Sequence, residues 1–330
     1  MRFAIIGCGL IGQKRARSLA PTHHLTIAAD VATSRAETLA AVYPGTLAVS
    51  DWREAIDRKD VDAVIVATTN DALAPVTLAA IQSGKHVIVE KPAARTSAEL
   101  EPLLAAARHH KVCVQTGFNH RYHPAFQKAR ELFEAGVLGP LMFIRGRYGH
   151  GGRLGYEKEW RAIPELSGGG ELLDQGVHLI DLAGWFLGLF VNVEGFSHTY
   201  FWDMPVEDNG FLLLRTATNQ VAFLHASCTE WKNLFSFEIY GRDAKLHIEG
   251  LGGSYGVERL SFYRMLPQMG PPETTIWEFP GEDTSWRREL EAFTRFVERG
   301  ETPQPGLAEA AASLRVVESV YRISKHDHHT

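Results

Sequence analysis

Asp174 and His178 stand four positions apart in Glu171-Leu172-Leu173-Asp174-Gln175-Gly176-Val177-His178-Leu179-Ile180-Asp181, a stretch whose apolar residues recur through Leu182 and Trp185 to Leu187. That periodicity predicts a helix, and at this spacing the two side chains share one face, with Asp181 a turn further along. A carboxylate beside an imidazole orients the ring and favours its charged form, so the histidine can act as a general base near neutral pH. Gly168-Gly169-Gly170 opens the loop that leads in. The same stripe, Glu171 included, also carries the donor types of a metal site. On an unremarkable surface helix it would be only a solvated polar face, so the elements around it must decide.

Those elements begin at the N-terminus. Residues 2–6 are a short apolar run entering Gly7-Cys8-Gly9-Leu10-Ile11-Gly12, a helical stretch follows to Ala20, and a second strand from Leu25 to Ala29 ends at Asp30. Strand, glycine turn, helix, strand and acid in this order are the context a dinucleotide fingerprint requires. Gly7 permits the tight turn, Gly9 lets the backbone approach a pyrophosphate, and Gly12 lets helix and strand pack closely. The helix start then offers the amides of Leu10 and Ile11 and a partial positive charge to the phosphates. Asp30, 18 residues beyond Gly12, is placed to bind both adenosine ribose hydroxyls. Its charge would repel a 2′-phosphate, which favours NAD; Ser34 and Arg35 close behind would receive one, leaving NADP open. Cys8 reads as a small buried filler.

The α/β rhythm continues with apolar strands at 63–67 and 86–89, a helix to Ser83, a helix at 98–110 and a strand at 112–115. Near-continuous apolar strands alternating with helices predict a doubly wound parallel sheet. Ligands of such sheets bind beyond the carboxyl ends of the strands, where Thr68, Thr69, Asn70, Glu90, Lys91 and Asn119 fall. Thr69 and Asn70 also suit helix caps. Beyond a helix ending near Ala135 the pattern changes to alternating strands at 141–148, 206–215, 220–228, 233–241 and 244–249, and two late helices at 286–299 and 307–324 close the chain. Six of the seven tryptophans lie past residue 150. The fold class expected is α/β: an N-terminal Rossmann domain over 1–121, and over 122–330 an α+β domain with an open, mainly antiparallel sheet. Tyr200, Phe201, Trp202 and Trp231 hint that the sheet's other face is apolar enough to bury against another subunit.

Composition narrows the classes. The 330 residues are 45% hydrophobic and 22% charged, with 39 acidic against 34 basic side chains and a net charge of −5. No basic run is long enough for a nucleic-acid or membrane footprint, and no apolar stretch would span a bilayer. No leader-peptide pattern follows Met1. Cys8, Cys113 and Cys228 form no CxxC pair and read as free thiols of a reducing, cytoplasmic compartment. The tail His326-Asp327-His328-His329 reads as a frayed terminus.

With Gly7-x-Gly9-x-x-Gly12, Glu90-Lys91-Pro92 and Gly168-Gly169-Gly170…Asp174…His178 in this order, the chain resembles the glucose–fructose oxidoreductase, inositol dehydrogenase and rhizopine-catabolism oxidoreductase family from Met1 to about Lys325. The resemblance implies an NAD(P)-dependent dehydrogenase acting on CH–OH groups of sugars, inositols or nucleotide-linked sugars, assembled as a dimer or tetramer, with its last helix packed back on the first domain. It implies a catalytic trio of Lys91, Asp174 and His178, and places Asn119 and Arg121 at the active-site cleft. The main departure is Thr68-Thr69-Asn70-Asp71, which lacks the proline common after the first threonine. In the expected reaction neutral His178 takes the hydroxyl proton, Asp174 orients it, and the Lys91 ammonium stabilises alkoxide charge. Arg161, beside Trp160, and Arg145 with Arg147 are candidates for substrate contact, as are Tyr148 and Tyr156 for stacking on a ring. Two alternatives stand beside this: a metal-dependent enzyme using the Asp174/His178 stripe, and a non-enzymatic dinucleotide- or sugar-sensing regulator.

Overall fold

The computed structural model describes residues 1–268 and 270–326; Asp327, His328 and His329 of the histidine-bearing tail lie outside them. The elements run β1 (Arg2–Ile6), α1 (Leu10–Arg17), β2 (His24–Ala29), α2 (Thr33–Ala40), β3 (Leu47–Val49), α3 (Trp52–Ile56), β4 (Ala63–Val66), α4 (Asn70–Gln82), β5 (His86–Glu90), α5 (Ser97–His110) and β6 (Val114–Gly117). Then come α6 (Pro124–Glu134), β7 (Leu141–Gly149), α7 (Pro164–Ser167), α8 (Val177–Leu187), β8 (Phe190–His198), β9 (Asn209–Thr216) and β10 (Val221–Ser227). The chain closes with β11 (Leu234–Gly241), β12 (Ala244–Glu249), β13 (Glu258–Arg264), β14 (Glu273–Phe279), α9 (Ser285–Arg299) and α10 (Leu307–His326).

Two compact units result. The first comprises Met1–Phe118, Glu165–Gly168 and Trp286–Ala312; the second comprises Asn119–Pro164, Gly169–Ser285 and the chain from Ser313 on. Residues 286–312 therefore belong with the Rossmann unit, whereas the sequence reading divided the chain at 121/122 and expected only the last helix, 307–325, to pack back on the first domain. The physical reason is visible in the core. Leu290 and Phe293 of α9 are buried with Phe3, Ile5, Ala28, Ile65 and Ile88, and taking such side chains out of water stabilises by roughly 1.5–3 kcal/mol each.

The first unit is a six-stranded sheet in the order β3-β2-β1-β4-β5-β6, with every pair parallel. This is a dinucleotide-binding order, with its crossover point at β1/β4. Strand β4 is buried at every position, as a parallel strand covered on both faces must be.

The second unit carries an eight-stranded sheet ordered β14-β13-β12-β11-β7-β10-β9-β8. All its pairs are antiparallel except β7–β10. Alternation decides its faces: Phe235, Phe237 and Ile239 of β11 are buried, as are Leu246 and Ile248 of β12. Phe126 of α6 meets Phe237 with ring centroids 5.4 Å apart, so helices cover this face. The opposite face is open, with Phe196, Leu213 and Phe223 about half exposed. Tyr200, Phe201, Trp202 and Trp231 are not on it, contrary to the sequence reading. The Asp208 carboxylate gathers the amides of Tyr200, Phe201 and Trp202 into a loop, and the Phe201 ring meets Trp231 edge-on.

Candidate active site

In the first unit the glycine turn is built by steric necessity at two positions. Gly7 has φ +93°, and a Cβ there would stand 2.4 Å from the Ala67 carbonyl oxygen; one on Gly12 would stand 2.0 Å from that of Gly7. Neither position tolerates a side chain. At Gly9 a Cβ would meet nothing within 4 Å, so that glycine is not demanded by the chain's own packing. Gly9 is also the N-cap of α1, with no side-chain cap and no acidic residue in the first turn. The amides of Leu10 and Ile11 therefore head a helix with neither a side-chain cap nor a first-turn acid of its own, which suits a bound pyrophosphate. The residues present fit a dinucleotide.

Asp30 is buried and holds its own turn: Oδ2 accepts the Cys8 amide at 2.8 Å and Oδ1 the Ala32 amide at 2.9 Å. Each oxygen keeps a second lone pair for a ribose hydroxyl. Burial pushes the Cys8 thiol up to about 12, with the Asp30 charge adding to it, so it is a filler and not a nucleophile. Arg35 is exposed in the first turn of α2. Thr68 donates to the Thr69 carbonyl and Thr69 to Asp71; Asn70, buried, donates to the Ser167 carbonyl at 2.8 Å.

Glu90 was expected at the cofactor. The structure turns its carboxylate to Arg15 of α1, whose Nε donates to it at 2.6 Å, while the far side of the same guanidinium meets Glu289 of α9. The Trp286 ring covers Arg15 at 4.6 Å. Burial and the Glu90 charge push Glu289 up to about 7, against the pull of Arg15. The glycine-turn helix and the strand that delivers Lys91 are thus tied by one guanidinium. Lys91 follows β5 directly, joined to Pro92 by a cis peptide.

In the second unit the predicted helix does not start as an α-helix. Leu172–Gly176 is a π-helical turn that gives way to α8, so Asp174 and His178 lie on either side of the change of pitch. Single π turns of this kind recur at functional sites. The Asp174 carboxylate accepts from Arg161 Nε at 2.9 Å; Asp174 raises the Arg161 pKa despite burial. Arg161, a candidate for substrate contact, is therefore tied to Asp174 itself.

His178 is buried, its ring stacked on His120 with centroids 3.8 Å apart and the Tyr148 ring edge-on at 6.2 Å. Tyr148 is enclosed by Phe235 and Tyr255. Burial, then Tyr255, Glu171 and Asp174, push its pKa well above the usual tyrosine value, so it stays a protonated donor. Asn119 donates to Ser285 at 2.9 Å and its carbonyl faces His120 at 3.2 Å. Sequence reasoning missed His120, His150 and Tyr255. His150 Nε2 stands 3.6 Å from Glu171; burial opposes its charge, yet Glu171, with Asp174 behind, raises its pKa. Tyr156 packs against His150 and Trp202, which makes it part of an aromatic wall.

Three expectations are corrected. Arg121 does not reach out to a substrate: Nε and Nη2 form a bidentate pair with Asp181 at 2.8 and 2.6 Å, both side chains buried. That pair also removes Asp181 from the stripe read as a metal site, and among the described residues no three His, Cys, Asp or Glu side chains are arranged to hold an ion. Arg145 and Arg147 alternate with Tyr148 along β7 and so point to the exposed sheet face, where Arg145 meets Glu238.

A family model described as oxidoreductase family, NAD-binding Rossmann fold, matches residues 1–118, and one described as the GFO/IDH/MocA C-terminal domain matches 126–247. Levoglucosan dehydrogenase of Pseudarthrobacter phenanthrenivorans is 33% identical over 163 residues, 49% of this chain and 42% of that one. This chain thus matches less than half the length of that relative. Inositol 2-dehydrogenase 2 of Saccharopolyspora erythraea is 27% identical across 97% of this chain and 93% of its own. A solved structure of levoglucosan dehydrogenase in complex with NADH superposes with a TM-score of 0.85 at 23% identity, covering 98% of each chain; at that identity the likeness is one of fold.

Proposed function

The chain belongs to the GFO/IDH/MocA family of NAD(P)-dependent oxidoreductases, and from this we propose that it transfers hydride between the nicotinamide and a secondary alcohol of a neutral sugar or ring polyol. The observation that carries the reading is the open space over Gly9 at an uncapped helix start; the second unit for its part presents Asp174 and His178 on consecutive turns. Bound NAD(P) supplies the hydride acceptor; the rest is proton and charge management by side chains. Neutral His178 takes the hydroxyl proton, with Asp174 favouring the resulting cation. The Lys91 ammonium stabilises charge developing on the substrate oxygen. Gly7, Gly9, Leu10, Ile11, Gly12 and Asp30 form the dinucleotide cradle, with Thr68, Thr69 and Asn70 at the next strand end and Asn119 near the base. Asp30 favours NAD over NADP through its charge.

The neutral substrate class follows from charge. The charges of Glu171 and Asp174 act on Tyr148, whose ring faces His178 edge-on, and on His150, and Arg161 is already paired with Asp174, so a phosphorylated substrate would meet more acid than base. Tyr148 and Tyr156 are buried, so the aromatic surface that suits the C–H face of a sugar ring is that of half-buried Trp202. The exposed face of the second sheet, with Phe196, Leu213 and Phe223 beside the Arg145–Glu238 pair, suits a homodimer or homotetramer. Among the described residues no helix is long and apolar enough to cross a membrane, and three buried free thiols suit a cytoplasmic protein.

The test is a screen of nicotinamide absorbance with NAD and NADP against polyols, free sugars and sugar nucleotides, repeated with His178→Ala. Turnover should fall about a hundredfold or more while dinucleotide affinity stays. Parent-like turnover by His178→Ala removes the histidine from its role; turnover of sugar nucleotides alone removes the neutral class.

A further inference from the structure

The helical stretch that carries Asp174 and His178 is anchored at its entry by one residue from a distant part of its unit. Glu207, in the loop before β9, accepts the Gly170 amide on Oε2 at 3.0 Å and the Leu172 amide on Oε1 at 3.1 Å. Its backbone carbonyl accepts the intervening Glu171 amide at 2.9 Å. Three consecutive amides, of the kind a helix start leaves unsatisfied, thus end on a single residue. Oε1 also accepts the hydroxyl of Tyr321, on α10, at 2.7 Å. The fit is close enough to dictate sequence. A Cβ on Gly169 would stand 2.1 Å from the Tyr321 hydroxyl, and one on Gly170 would stand 2.0 Å from the Glu207 carbonyl oxygen.

We propose that Glu207 and Tyr321 are positioning residues for the Asp174/His178 pair, fixing where the π turn begins and hence where both side chains point. This rests on the reading of His178 as the base. An ordinary cap satisfies one or two amides; here three successive ones and a tyrosine from another helix converge, two to eight residues ahead of the reacting groups. Misplacement of such groups by about 1 Å can cost on the order of a hundredfold in rate.

The anchor depends on charge. An ionised carboxylate accepts both amides and the hydroxyl, whereas a protonated one turns an O–H toward a donor. Burial pushes Glu207 up to about 7, the Tyr321 and amide hydrogen bonds pulling it down. The titratable groups sharing its surroundings are Tyr321, Glu171, Asp174, Asp208 and Cys228.

Glu207→Gln keeps the shape but sets an NH2 group against donors. In the full-length protein kcat should fall about tenfold or more, while KM for the dinucleotide stays within about twofold. In the parent kcat should rise with pH through about 7 as Glu207 ionises, and in the variant this rise should be less steep, because one titrating group is gone. Tyr321→Phe removes one donor and keeps both amide bonds; kcat should fall about two- to fivefold at unchanged dinucleotide KM, which keeps the test open if the first variant does not fold. A folded Glu207→Gln, or Tyr321→Phe, with the parent's kcat and pH profile overturns the proposal. So does a parallel loss of kcat and dinucleotide affinity, which would mark general loosening. His178→Ala measured alongside separates the two claims: parent-like turnover there refutes the base itself.

Discussion

The two glycine-rich turns of this chain look alike as sequence and differ in what surrounds them. In Gly7-x-Gly9-x-x-Gly12 the outer glycines are forced by backbone carbonyls of the same unit and the middle one faces open space. In Gly168-Gly169-Gly170 nothing is open: a Cβ would strike the Arg95 side chain, the Tyr321 hydroxyl and the Glu207 backbone in turn. A turn with one unclaimed glycine is a cradle for something the chain does not itself supply. A turn with every glycine claimed is a joint, and its product is the aim of the helix that follows. The largest test of the contrast is Gly12→Ala beside Gly170→Ala, since each drives a Cβ to 2.0 Å from a backbone oxygen. Both should lose on the order of 4 kcal/mol or fail to fold, measured by urea unfolding. A Gly170→Ala of parent stability would show that the second turn has slack.

The buried acids sharpen the same comparison. Glu289 in the first unit shares a guanidinium with Glu90, whereas the Glu207 carboxylate in the second accepts from two backbone amides and the Tyr321 hydroxyl. Arg15→Met would leave two carboxylates facing one another without their cation. A loss of about 3 kcal/mol is expected, at the low end for a broken buried pair because Glu289 can take up a proton. A neutral outcome in chemical denaturation would mean that Arg15 contributes nothing beyond its volume.

The two acids also predict how stability depends on pH. Both carboxyls sit near 7 in the folded protein against an ordinary value of 4.5, so between those values the folded chain holds protons that the unfolded chain has released. Their contribution to stability is present below about pH 4.5 and is lost as pH rises to about 7, by up to about 3 kcal/mol for each group. Melting temperature should therefore decline from pH 5 to 8, and Glu207→Gln and Glu289→Gln should each flatten the decline. A rising profile would contradict both shifts.

What was legible in the sequence follows from how local its cause is. Strands β1, β2, β4 and β5 announce themselves because buried parallel strands are apolar throughout, and β11 and β12 because one face is buried and the other is not. Strand β3 has three residues, β8 has no fully buried position and β14 is largely exposed, so the sequence pattern did not mark them. Asp174 and His178 could be named as candidates from their spacing; the π turn that carries Asp174 could not be foreseen, since no residue type encodes its pitch. Partners were least legible. Arg121 meets Asp181 60 positions away, Arg15 meets Glu289 274 away, and Glu207 meets Tyr321 114 away. Charge on a predicted element says that a partner is needed, not which one the topology delivers.

Gly9→Ala should have the smallest effect on stability and is the sharpest test of the cradle. Its backbone sits at φ −69° and ψ −163°, extended geometry that alanine adopts without strain, and the added methyl meets no atom of the chain. Alanine also restricts the unfolded chain more than glycine does, which works in the variant's favour. Unfolding free energy should therefore stay within about 1 kcal/mol of the parent. Dinucleotide affinity, read by fluorescence titration, should nevertheless fall about tenfold or more, because the methyl occupies space that the pyrophosphate needs. If affinity is unchanged, the open space over Gly9 is not where the phosphates lie, and the distinction between cradle and joint fails at its first term.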